Sequence, residues 1–344
     1  MMPEQTWWER IPACIGLQKK IMEALAVGKS VMLDPAPVAW PEELRHRIHA
    51  KVIQHDHAMP WDHCDVSGCP ADVSPLMYLF ESLGEEDPYA TPMRCMQRLR
   101  KKNACLWISG IPQQQRAAWR NMAMELTQEG CKLRLILELP NAPLPPDCTR
   151  CVQLDTTCSR FDIYYFALML LSASEVHERQ MDYAALLCTE LSGLSPEVCS
   201  MLAGRVMDVM QDPEGFCAQH LPEKNVRRAV CRAQLRALMA QVEMGRVLAI
   251  DILRDQLQGI IPFTADFNMV LEDVESFELR HIVYAAREKR IITVEEPLSG
   301  LLKKLRDARN EIAHMHMLDY ESICNLGKWM MHLESIHGAA CAEE

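Results

Sequence analysis

The feature that most restricts this chain is a set of short, uninterrupted apolar runs in its first half, each parted from the next by a stretch of helical pattern. SVMLDPA (30 to 36), NACLWISGI (103 to 111), KLRLILELP (132 to 140) and RCVQLD (150 to 155) are the clearest runs. PEELRHRIHAKV and QQQRAAWRNMAMELTQEG lie between them and read as helices, and KVIQH (51 to 55) after the first helix reads as a further short strand. Strands without polar alternation are buried on both faces, and strands joined by helices run parallel. The expected core is therefore a mostly parallel sheet covered on both sides. Pro112 before the second helix and Gly130 after it fit helix start and stop signals. The proline-rich NAPLPPDCTR (141 to 150) reads as a loop.

From Ser159 onward the pattern changes. FDIYYFALMLLSAS, YAALLCTELSG and SPEVCSMLAGRVMDVM all read as helices, the third opened by Ser195 and Pro196. A long helix is expected from about Asn225 to Gln258, with Leu235, Leu238, Val242, Ala249 and Leu253 as its apolar stripe. The fold class is α/β followed by all-α. The expected divisions are an α/β domain over 1–158, a helical connector over 159–224 and a helical domain over 225–344.

A chain of 344 residues can hold two such cores, and 49% apolar against 24% charged residues is a globular balance. Its 15 cysteines follow no disulfide-framework spacing, and MMPEQTWWER has no basic start followed by an apolar run, so a reducing cytoplasm is the expected setting. The longest apolar stretch, IYYFALMLLSA (163 to 173), is too short to span a bilayer, and no membrane partner is expected. A formal charge of −11 opposes broad nonspecific affinity for nucleic acid or anionic lipid.

The order of strands and helices over roughly the first 170 residues resembles AAA+ and STAND-type P-loop NTPases. That resemblance implies a glycine-rich turn after the first strand, where backbone N–H groups wrap phosphate. Here the turn is DPAPVAWP (34 to 41), with no glycine and three prolines, which lack the N–H. Gly28-Lys29-Ser30 precedes the strand and is expected to end a helix instead. LWISGI ends in Ser109 and Gly110 where acidic residues would hold magnesium, leaving Glu138 as the one acidic residue at a strand tip. Nucleotide hydrolysis is not expected, and neither is any cofactor.

His63, Cys64, Cys69, Cys148 and Cys151 are the candidate metal ligands, drawn from HDHAMPWDHCDVSGC (55 to 69) and a later Cys-x-x-C pair. Their spacing matches no finger or ribbon, and chance clustering in a cysteine-rich chain accounts for it. Two basic stretches are candidates for nucleic acid: Arg94, Arg98 and Lys101 in MRCMQRLRKKN, and Arg228, Arg232 and Arg236 at four-residue steps. Without interleaved aromatics they form no stacking platform, and salt-bridged solvated faces are the competing expectation.

LRDARNEIAHM (305 to 315) carries the sharpest local signal. Leu301, Leu305, Ala308, Ile312 and Met315 form a core-facing stripe at steps of four, three, four and three. At about 100° per residue, Asn310 and His314 fall opposite that stripe and Arg309 on its flank. Arg-Asn-x-x-x-His on a late helix resembles the signature of HEPN domains, helical bundles of which many are metal-independent RNases that act as dimers. Carried over, His314 would be general acid or base at a ribose 2′-hydroxyl, Arg309 would stabilise phosphate charge, and Asn310 would orient the pair.

Together the resemblances imply a non-hydrolysing scaffold or regulatory subunit of a multi-protein bacterial assembly, of the antiphage-defence kind. Protein partners and a homo- or hetero-oligomer go with it. The alternative is a metal-independent HEPN ribonuclease with a dimeric active site and RNA as its partner.

Overall fold

A computed structural model of the chain describes residues 2–34, 38–85, 87, 89–127, 131–140, 143–145, 148–221, 225–265 and 268–342. Gly130, residues 35–37 of the expected proline-rich turn, and 141, 142, 146 and 147 of the later loop lie outside the described residues. The chain forms two compact units, Met1–Asp162 and Ile163–Glu344.

In the first unit α1 (Pro3–Arg10) and α2 (Pro12–Ala26) lead into β1 (Ser30–Asp34). There follow α3 (Pro41–His55), β2 (Trp61–Asp65), α4 (Pro75–Ser82), α5 (Pro92–Lys101), β3 (Cys105–Ser109), α6 (Arg116–Leu126), β4 (Arg134–Glu138) and β5 (Cys151–Asp155). The strands make one sheet in the order β2-β3-β4-β1-β5, every neighbouring pair parallel. Its apolar runs are buried on both sides, as the absence of polar alternation predicts. Met32, Cys64, Leu106, Ile108, Leu135 and Leu137 pack on one face against Phe80 of α4, Leu99 of α5, and Trp119 and Leu126 of α6. Residues of the other parity, Val31, Leu33, Trp107 and Ile136, are fully buried too. On that face Arg134 donates from Nε to the Leu25 carbonyl of α2, and Arg45 of α3 reaches Glu138.

Two local expectations fail here. KVIQH continues α3, because Val52 completes a buried stripe with Leu44 and Ile48 at four-residue steps. The edge strand is WDHCD instead, in which only Cys64 is buried. The Gly28 expectation holds: Gly28 stands at φ 75 after α2, with Gly28 N–H on the Leu25 carbonyl and Lys29 N–H on that of Ala24. That is the Schellman closure of a helix.

The second unit is helical: α7 (Arg160–Leu171), α8 (Glu178–Ser192), α9 (Pro196–Gly204), α10 (Val206–Gln211), α11 (Pro213–His220), α12 (Val226–Ile252), α13 (Arg254–Gln258), α14 (Leu279–Val283), α15 (Leu298–Ala313) and α16 (Tyr320–Ala342). The expected absence of strands is corrected by a two-residue antiparallel ladder, β6 (Phe263–Thr264) with β7 (Val270–Leu271). The expected long helix breaks at Leu253 into α12 and α13. Of its stripe, Leu238, Val242, Ala249 and Leu253 are buried, whereas Leu235 is 37% exposed. Of the expected connector, residues 163–224 lie in the same unit, and α8 packs along α12. Helices α12, α15 and α16 meet at Gly245, where a Cβ would stand 3.1 Å from Leu305 Cδ1 and 3.0 Å from Met330 Sδ. Glycine there allows the close approach that seats Leu305 with no exposed surface. No helix of the described residues is long and apolar enough to cross a membrane.

Candidate functional site

Helix α15 and its C-cap hold the Arg-Asn-x-x-x-His stretch, with Arg309 and Asn310 on the helix and His314 at the cap. Leu301, Leu305, Ala308 and Ile312 are buried, so the stripe fixes the helix rotation, and His314 is exposed. Met315 does not join the stripe. The helix stops at Ala313 in a Schellman turn, with Met315 N–H on the Ile312 carbonyl and His316 N–H on that of Glu311. Met315 takes the left-handed position at φ 58 and is 38% exposed. The turn brings the His314 and His316 rings to 6.1 Å between centroids, and His316 Nδ1 lies 3.0 Å from Glu311 Oε2.

Arg309 and Asn310 line a shallow cleft with Glu278, Arg280, Arg306 and Glu243. Glu278 Oε2 lies 3.6 Å from Arg309 Nη2 and 3.2 Å from Arg280 Nε, so one carboxylate serves two guanidiniums. These side chains are 36 to 42% exposed, and solvent limits such a pair to about 1 kcal/mol or less. The cleft thus presents three arginines beside two carboxylates. Sequence spacing gave no sign of Glu278, which caps a helix some thirty positions upstream.

Three of the six basic candidates, Arg98, Arg232 and Arg236, are neutralised from within. Arg98 lies 2.6 Å from Glu85 and sits over the Phe80 ring, and Lys102 lies 3.1 Å from the same carboxylate. Arg94 and Lys101 are exposed. In the second stretch Arg232 and Arg236 approach the two oxygens of Glu190 at 2.9 and 3.1 Å. The Glu190 side chain is only 1% exposed, so these arginines supply the charge that a buried carboxylate requires, and they tie α12 to α8. Arg228 is exposed at the start of α12, where its N–H is capped by Asn225.

The five metal candidates do not assemble. A strand turns successive side chains to opposite faces. Cys64 points into the core on the α4–α6 face, whereas His63 is exposed on the other, its Nε2 2.8 Å from Ser109 Oγ. Cys69 and Cys151 are buried in the same core as Cys64, with Cys148 partly buried against it. Burial pushes the thiols of Cys64 and Cys69 up and that of Cys151 up to about 11, away from the thiolate that metals bind. Among the described residues no group of three His, Cys, Asp or Glu side chains could hold a metal ion.

At the strand tips, Glu138 accepts from Trp107 Nε1 at 2.7 Å and from Arg45 Nη1 at 3.3 Å. The Ser30 hydroxyl is fully buried and accepts the Leu135 N–H at 2.9 Å. His63 and Ser109 meet here without any motif to announce them. Had WDHCD been read as a strand, the parallel register Asp65↔Ser109 would have placed them together.

No family model and no curated protein matches the chain. Among solved structures it is similar to the ORC2 protein of Aeropyrum pernix, at 10% identity and a TM-score of 0.33, over 95% of this chain and 93% of that one. It is also similar to Cdc6p from Pyrobaculum aerophilum, at 11% identity and a TM-score of 0.37, over 94% and 95%. At such values the likeness assigns neither a ligand nor an activity.

Proposed function

We propose that the chain is a non-hydrolysing scaffold or regulatory subunit that works through contact with other proteins. Its first unit would be a P-loop-NTPase-like sheet that has lost its phosphate chemistry, and its second a HEPN-like bundle. The observation that carries this is the state of the cations. Arg309, which phosphate chemistry on α15 would call upon, already faces Glu278. Arg98 faces Glu85, and Arg232 and Arg236 face Glu190. A phosphate would have to displace the chain's own carboxylates at each place. At the carboxyl tip of β4, Glu138 is spent on internal hydrogen bonds to Trp107 and Arg45. A bacterial antiphage assembly is the setting that the two resemblances imply.

The exposure of His314 supports a second reading, the metal-independent ribonuclease with Arg309, Asn310 and His314 of two subunits. One experiment separates the two. Wild type and His314→Ala are incubated with mixed RNA in EDTA, and oligomeric state is measured by native mass spectrometry. The scaffold reading expects no cleavage by either protein. Chelator-resistant cleavage lost in His314→Ala would replace it with the nuclease.

A further inference from the structure

The first unit holds a pair that neither reading uses. His63 Nε2, from the middle of β2, and Ser109 Oγ, from the carboxyl end of β3, lie 2.8 Å apart on one face of the sheet. In open parallel sheets the carboxyl ends of the strands are where ligands and reacting groups gather. We propose that Ser109 is a nucleophile and His63 its general base, accepting an uncharged acyl donor, independently of any contact function of the second unit.

Four observations support it. The separation is that of a nucleophile bonded to its base. Ser109 is held rigidly, since it is only 7% exposed and Gly110 follows at φ 73. A Cβ at Gly110 would stand 2.2 Å from Asp65 Oδ1 and 2.9 Å from the Ser67 nitrogen, so this turn admits no other residue without rearrangement. His63 is exposed and opens the pair to solvent and substrate. Burial and then Arg45 lower its pKa, with Glu138, Asp65 and Asp62 opposing, so the imidazole is a free base at neutral pH.

The surroundings choose the substrate class. Three carboxylates, Asp62, Asp65 and Glu138, act on His63 against the single guanidinium of Arg45, which Glu138 and Glu42 already engage. A phosphate ester would be repelled, and an uncharged carboxylic ester would not. In acylation the bond from Ser109 Oγ to the acyl carbon forms as the ester C–O bond breaks. The hydroxyl proton passes to His63 Nε2 and then to the departing oxygen. Water completes the cycle by giving its proton to Nε2 and bonding the acyl carbon, while the C–Oγ bond breaks and Ser109 recovers its proton.

The test treats the full chain with 4-nitrophenyl acetate and maps acetyl groups by peptide mass spectrometry. Ser109 of the wild type is expected to be acetylated, and Ser109→Ala to lose that mark. His63→Gln keeps a hydrogen-bonding group but cannot take the proton, and should slow the reaction about a hundredfold. The wild-type rate should rise with pH and level off below the ordinary histidine pKa of about 6.5. Melting curves of both variants check folding. If either variant fails to fold, the wild-type map and its pH profile still decide. Ser109 acetylated no faster than exposed serines, or an equal rate in a folded His63→Gln, would overturn the proposal.

Discussion

The sheet of the first unit and helix α15 of the second treat neighbouring residues in opposite ways. In β2, consecutive His63 and Cys64 go to different faces, one to solvent beside Ser109 and one to the core. At the end of α15, Asn310 on the last turn and His314 at its C-cap stand four positions apart, close to one helical turn, and the His314 N–H bonds the Asn310 carbonyl. Closeness in sequence therefore overstated a metal site in the first unit and located a polar face in the second. A cluster of candidate ligands means little until the period of its backbone is known.

The largest test of this contrast is to remove what sets the rotation of α15. Leu305 is fully buried against Gly245 of α12. Leu305→Ala should cost about 2–5 kcal/mol in urea unfolding, from lost burial plus the cavity left behind. A cost below about 1 kcal/mol would mean that the stripe does not anchor the helix. In the sheet the corresponding lock is polar. Ser30→Ala leaves the buried Leu135 N–H without its acceptor between β1 and β4, and should cost about 1–3 kcal/mol by the same measurement.

These two sites also mark what was legible in the sequence. The buried strands β1, β3 and β4 announced themselves as unbroken apolar runs, and the stripe of α15 as a period of 3.6. Edge strand β2 did not, because only Cys64 of its five residues is buried, so WDHCD looked like ligands rather than structure. KVIQH misled for the converse reason, since it is apolar enough for a strand while Val52 serves a helical stripe. The opposing charges were invisible for a different cause. Glu190, Glu278 and Glu85 reach their arginines through tertiary packing, and no local spacing encodes that.

Met315 sharpens the same point at lower energy. Its side chain continues the four-and-three pattern, yet the Schellman turn needs a left-handed residue there and turns it outward. A left-handed conformation costs an ordinary residue about 1–2 kcal/mol, and glycine escapes this at some cost in unfolded-state entropy. Met315→Gly should therefore stabilise the protein by about 0.5–1 kcal/mol, read as a higher urea midpoint at unchanged slope. Destabilisation would show that Met315 packs more than its exposure implies.

The smallest effect belongs to His63 and follows from its face of the sheet. Burial, then Arg45, lowers its pKa in the folded state. Below the unfolded-state value of about 6.5 the unfolded chain thus binds the proton more readily than the folded one. The stability His63 contributes is complete above that value and is lost as pH falls through it towards the lower, folded value. The chain holds 12 histidines, so raw pH dependence is a mixture. The difference between wild type and His63→Gln isolates what His63 contributes. Urea midpoints compared between pH 7.5 and 5 should fall further for the wild type than for the variant. Parallel curves would mean that His63 stands in water like any surface histidine, and that parity in β2 fixes its direction without fixing its surroundings.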